Sequence, residues 1–278
     1  MNGWQEGDIE TNGIRLHYTR TGGDKPALVM AHGVTDSGLC WAPVAQALAA
    51  DYDVIMVDAR AHGLSQETES GFDPGTQAAD LAGLITGLGL SKPAILGHSM
   101  GAATAMTLAG TYPDLPGVIL LEDPPSWWTD WHETVEAGDM VGQMRDSLFA
   151  RKGMARDELI AAQREKYPGW TDGELQPWAD AKQRVSLNVA VVFDRSNPKK
   201  VDWDATLSRI TCPTLLIVSD PEQGGIVTAE SAASFKALVP QAEIVHIPEA
   251  GHSIRRDQFQ PYVDAVRAFL SAHVPALR

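Results

Sequence analysis

Short apolar runs alternating with helical patterns set the strongest limit on what this chain can fold into. IRLHYTR, PALVMAHG, DVIMVDA, AILGHS, GVILLED and, much later, PTLLIVSD and AEIVHIPE have strand length and are bounded by turn residues. Between them, Leu81, Leu84, Ile85 and Leu88 recur at helical spacing, as do Phe259, Val263, Val266 and Phe269. The alternation predicts an α/β fold, a mostly parallel sheet with helices on both faces. GDIETNGIRLHY predicts an antiparallel hairpin that opens the sheet, turned at Asn12-Gly13.

The stretch 124–205 breaks this alternation, being charged and helix-like until VSLNVAVVF, and reads as an insertion. It holds Trp127, Trp128, Trp131, Trp170, Trp178 and Trp203, six of the eight tryptophans. Aromatics this dense build a small core, line an apolar pocket, or divide between the two. No repeat or low-complexity tract interrupts the chain.

Composition excludes several classes. With 44% hydrophobic residues among 278, a large buried centre is available. A formal charge of -14 opposes a phosphate-tracking face, so no nucleic-acid partner is expected. The start, MNGWQEGDIETNG, lacks the basic and apolar regions of a leader, and no run approaches the roughly 18 apolar residues of a membrane span. A cytoplasmic protein without a membrane partner is expected. Cys40 and Cys212, the only cysteines, read as small buried hydrophobes.

Gly97-His98-Ser99-Met100-Gly101 fits G-x-S-x-G, a sharp strand-to-helix turn that exposes the serine oxygen above the sheet edge. The apolar run before it and AATAMTLA after it supply the required context. Glycines at 97 and 101 are expected because a Cβ at either place would collide with a neighbouring strand or helix. A serine hydroxyl is a weak nucleophile at neutral pH and needs a base, which in turn needs an orienting acid. Of eight histidines, His252 in PEAGHSIRRDQF is best placed, in a glycine-containing loop after AEIVHI. His98, His246 and His62 read as structural, and His32 lies in the loop after the third strand. The backbone N–H groups of Val34, in that loop, and of Met100 are the expected oxyanion donors.

HG after strand three, DARAHG after strand four, GHSMG after strand five and AGH near the C-terminus occur in the order found in the α/β-hydrolase superfamily, which the chain resembles over nearly its whole length. The resemblance implies an eight-stranded, mostly parallel sheet, a core formed by 1–123 and 206–278, and a helical cap (lid) at 124–205 after the sixth strand. Ala61 stands where relatives usually carry glycine. Most relatives place the acid after strand seven in a pattern like G-x-x-D, where this chain reads LLIVSDPEQGGIVT, with Asp220 at the strand end and Glu222 at the usual offset. GVILLEDPPSWW offers Glu122 and Asp123 after strand six instead. In both loops the chain is similar to the haloalkane dehalogenases, whose glutamate follows strand six. That likeness puts the acid on Glu122, ahead of Asp220, with Asp123 and Glu222 behind.

A dehalogenase requires an Asp nucleophile, and Ser99 stands in its place. Ser99, His252 and an acid point instead to an acyl-serine intermediate, and first to hydrolysis of a carboxylic ester or lactone. Carbon–carbon cleavage of a diketone, amide or carbamate hydrolysis, and perhydrolysis would use the same residues. A non-catalytic small-molecule receptor of the same fold is the competing class. The tryptophans suggest an apolar, including aromatic, substrate contacted by Trp127, Trp128 and Trp131. No metal is expected, because H-E-x-x-H, paired cysteines and carboxylate clusters are all missing, and no nucleotide cofactor, because no Gly-rich phosphate loop follows the first parallel strand. A monomer or homodimer is expected.

Overall fold

ALVMA, DVIMV, AILGH, VILLE and TLLIV are apolar at almost every position, which suits strands covered on both faces. In the computed structural model, which describes residues 3–129, 139–194, 196 and 200–275, they form β3 (Ala27–Ala31), β4 (Asp53–Val57), β5 (Ala94–His98), β6 (Val118–Glu122) and β7 (Thr214–Val218). With β1 (Gln5–Thr11), β2 (Ile14–Arg20) and β8 (Glu243–His246) they make one eight-stranded sheet, ordered β1-β2-β4-β3-β5-β6-β7-β8. β2 pairs antiparallel with β1 and β4, and every other pairing is parallel. The opening hairpin closes where expected: Thr11 faces Ile14, and Asn12 and Gly13 adopt φ of 47° and 72°, as a two-residue hairpin turn requires.

Alternate strand residues serve opposite faces. Val29, Ile55, Ile95 and Ile119 meet α2 (Pro74–Gly87), α3 (Met100–Thr111), α7 (Trp203–Leu207) and α8 (Ala229–Leu238), while Leu28, Met30, Leu96 and Leu120 meet α1 (Ala42–Leu48) and α9 (Phe259–His273). α2 starts where Asp73 caps the Thr76 N–H and Pro74 fills the first turn. Small side chains along α3 let it bury nearly every position against the sheet.

Between β6 and β7 come α4 (Met140–Lys152), α5 (Arg156–Lys166), α6 (Asp172–Arg184) and a 3-10 turn, Leu187–Phe193. Trp170 and Trp178 join Leu159, Leu175 and Ala179 in a satellite core. Trp127, Trp128 and Trp203 instead pack with the sheet's own core. The Trp128 indole N–H donates to the Ser231 carbonyl at 2.9 Å and its ring meets Phe235, while Trp127 lies 5.6 Å from the Trp203 ring. Substrate contact was expected of Trp127 and Trp128, but both are turned into the body of the fold, where α8 gives Trp128 apolar area and a hydrogen-bond acceptor and Trp203 of α7 packs against Trp127. Trp131 lies outside the described residues. Among the described residues, no helix is long and apolar enough to cross a membrane.

Candidate active site

Ser99 sits between β5 and α3 with φ 52° and ψ −114°, a strained conformation that lifts its side chain from the sheet edge. A Cβ at Gly97 would overlap the Gly101 carbonyl, and one at Gly101 would overlap the Ala31 carbonyl, so both flanking positions are restricted to glycine. Met100 opens α3, where the first N–H groups have no partner within the helix. Val34 belongs to the loop after β3 and borders the same cavity as Ser99 and His252.

The carboxylate against His252 is that of Asp123. Its Oδ2 lies 2.6 Å from His252 Nδ1, and its two oxygens also accept the backbone N–H groups of Ile226 and Val227 at 2.9–3.1 Å. The Asp123 side chain is fully buried, whereas the His252 ring is 34% exposed on the cavity side. Glu122, ranked first from the sequence, points elsewhere. It accepts from the Arg255 backbone N–H at 3.1 Å and from Arg255 Nη1 at 3.1 Å. Burial pushes its carboxyl up, against the opposing pull of Arg255. The reason is local: Glu122 is the last residue of β6, and at Asp123 the chain turns to φ 42°, which swings the next carboxylate toward the His252 loop. Asp220 does not reach His252 either, since it takes His246 Nε2 at 2.7 Å and the Glu249 N–H at 2.8 Å. Glu222 is exposed on a 3-10 turn.

His98 presents Nε2 to the His252 carbonyl at 2.9 Å, with ring centroids 4.7 Å apart. Burial and the nearby Arg255 charge hold the His98 imidazole well below its ordinary value, so it is neutral and donates that bond. The expected structural histidine therefore supports the backbone of the expected base.

The cavity has a volume of about 370 Å³, enough for a small molecule. Trp170 and Trp178 border it, but Arg151, Gln163 and Lys166 from α4 and α5 give it a cationic, hydrogen-bonding wall. Among the described residues neither Arg151 nor Lys166 is engaged in an ion pair. Behind the wall lies a buried ionic cluster that sequence reading missed. Asp36 accepts from Lys182 Nζ at 2.8 Å, Arg256 Nη2 at 2.9 Å and Arg255 Nη2 at 3.2 Å, while Arg256 Nε reaches Glu174 at 3.2 Å. Burial would raise the Asp36 carboxyl, but Arg256, Lys182 and Arg255 together hold it well below the usual range. Lys182, Arg255 and Arg256 are thus balanced by Asp36, Glu122 and Glu174, as buried charges must be. The available signal was two consecutive arginines after His252, which in an apolar environment demand carboxylate partners. Among the described residues, no group of His, Cys, Asp and Glu side chains is arranged to hold a metal ion.

A doubly covered parallel sheet with a strained serine elbow and a buried carboxylate–histidine pair at its carboxyl edge defines a class, and the chain belongs to it: a family model for the alpha/beta hydrolase fold matches residues 26–255. Among its relatives, the chain is similar to N-formylmaleamate deformylase of Pseudomonas putida, 29% identical over 95% of this chain and 96% of that protein. It is also similar to 2-(acetamidomethylene)succinate hydrolase of Mesorhizobium japonicum, 26% identical over 91% of each chain. The crystal structure of an N-formylmaleamic acid deformylase from Pseudomonas putida S16 superposes with a TM-score of 0.77 at 25% identity, covering 94% of this chain and 100% of that one.

Proposed function

We propose that the protein is a serine hydrolase that cleaves the acyl–nitrogen bond of a small, carboxylate-bearing molecule, with Ser99 as nucleophile, His252 as base and Asp123 as the orienting acid. The Asp123–His252 bond of 2.6 Å, opening on the cavity that Ser99 borders, carries this reading. Asp123 fixes the tautomer in which Nδ1 bears hydrogen, leaving Nε2 to take the Ser99 proton as Oγ attacks the carbonyl. The Val34 and Met100 N–H groups receive the developing oxyanion. His252 then returns the proton to the departing nitrogen, and a water it deprotonates releases the acyl group and restores Ser99. Helices α4 to α6, within the 124–205 cap, supply the wall that selects the rest of the substrate.

Two observations move the preference from esters of apolar groups to N-acyl carboxylates. Arg151 and Lys166 face the cavity, where a substrate carboxylate would find opposite charge in a partly desolvated setting. The names of both relatives join an N-acyl group to a carboxylate skeleton. Esters and lactones remain chemically open to the same residues.

The test is a panel of N-formyl and N-acetyl amides of small unsaturated dicarboxylates, their methyl esters, and p-nitrophenyl esters, each assayed with wild type and Ser99→Ala. The carboxylate-bearing amides should have the highest kcat/KM, and Arg151→Ala should raise KM for them about 10-fold or more while sparing the neutral analogues. Equal kcat/KM for anionic and neutral substrates would remove the carboxylate from the reading. Turnover that survives in Ser99→Ala would remove the mechanism.

A further inference from the structure

We infer that Lys182, carried on α6, is a positioning residue for the oxyanion donor Val34, an inference that rests on the acyl-serine reading above. Gly33, Val34, Thr35 and Asp36 form a tight turn closed by the Asp36 N–H on the Gly33 carbonyl at 3.1 Å. Thr35, in its third position, has φ 70°. That is the place in such a turn where glycine or asparagine is favoured, and a β-branched residue rarely adopts it. The conformation therefore needs an external hold.

Lys182 provides it. Its Nζ donates to the Thr35 carbonyl at 2.7 Å, to Thr35 Oγ1 at 2.9 Å and to Asp36 Oδ1 at 2.8 Å. All three ammonium hydrogens are committed to the turn, so none is left for a substrate even though Lys182 borders the cavity. The side chain is 2% exposed, with the Trp178 ring 5.1 Å from the ammonium. Asp36 is gripped from its other oxygen by Arg255 and Arg256, which follow His252 closely in the chain. The turn's second member, Val34, is thus aimed by a cation from the inserted helices. A threonine at 35 suits this scheme because its hydroxyl gives the lysine a second anchor that glycine could not. Oxyanion donors work through preorganisation, so the effect belongs in the chemical step rather than in binding.

The experiment is a double-mutant cycle read by the rate at which a fluorophosphonate modifies Ser99, followed by intact mass, with thermal melts as the folding control. Lys182→Met should slow modification about 100-fold, the scale expected when a reacting group is held out of register. Thr35→Gly should slow it only a few-fold, since glycine takes the left-handed conformation unaided. The double variant should match Thr35→Gly within about threefold, a strong coupling between the two sites. Additive losses, or a wild-type rate in folded Lys182→Met, would overturn the inference. Should Lys182→Met not fold, Thr35→Val keeps the Lys182–Asp36 pair and removes the hydroxyl. Its modification should fall about 10-fold, about one charge-assisted hydrogen bond, with Thr35→Ser near wild type, and an unchanged Thr35→Val rate would equally overturn it. A wild type that the reagent fails to label at Ser99 ends the acyl-serine reading and this inference together. A labelled wild type with an indifferent Lys182 ends this inference alone.

Discussion

Two histidine–aspartate pairs stand at the same end of the sheet, and their lengths hardly differ: 2.6 Å for His252–Asp123 and 2.7 Å for His246–Asp220. Their surroundings differ throughout. Asp123 is fully buried, holds two backbone N–H groups besides the imidazole, and presents its histidine to the cavity of Ser99. Asp220 is 25% exposed and His246 53%, and neither borders the cavity that Ser99 lines. A short contact is therefore not what makes a pair useful. Desolvation, a fixed tautomer and a neighbouring nucleophile do.

The contrast can be broken most sharply at the two acids. Asp123→Asn should lower kcat about 10⁴-fold with little change in KM, because the amide favours the wrong histidine tautomer. A comparable loss in Asp220→Asn with Asp123→Asn active would reverse the assignment. Glu122→Gln comes next, and separates the adjacent carboxylates by readout. Breaking its buried pair with Arg255 should cost about 3 kcal/mol in denaturant unfolding while kcat of the folded variant stays within about 10-fold.

Acid should damage the buried region before the exposed one. Burial pushes the His62 imidazole down to about 3, and burial also lowers His98 and His32. The unfolded chain takes up protons near pH 6.5 that the folded one refuses, so stability present at pH 7 is lost as pH falls below 6.5, for His62 at about 1.4 kcal/mol per pH unit down to about 3, with His98 and His32 adding loss of the same sign. A melting temperature independent of pH between 6.5 and 4 would contradict this. The smallest effect is expected at the exterior pair, where His246→Gln and Asp220→Asn should keep kcat within about threefold, as surface substitutions usually do.

Much of this molecule was legible in its sequence. Continuous apolar runs announced doubly covered strands, Asn12-Gly13 announced the hairpin, and the glycines around Ser99 announced an elbow whose carbonyl neighbours leave no space for a Cβ. The register at the end of β6 was not legible. Glu122 and Asp123 are both carboxylates, and only the backbone turn at φ 42° decides which one meets His252. The tryptophans misled for a related reason: an indole serves a core or a pocket equally well, and Trp128 found its acceptor at Ser231. Arg151 and Lys166, unremarkable in a charged helical stretch, acquire meaning only when the chain brings them to the cavity that Ser99 borders.

The carboxylate of Asp36 draws together a lysine from the insertion and two arginines from the segment after His252. A different segment grafted between β6 and β7 would have to carry a cation to the place of Lys182, or Asp36 would be left short of a partner and Thr35 without its anchor. Any transplant into this chain is therefore conditional on one residue whose ammonium hydrogens are all spent within the protein.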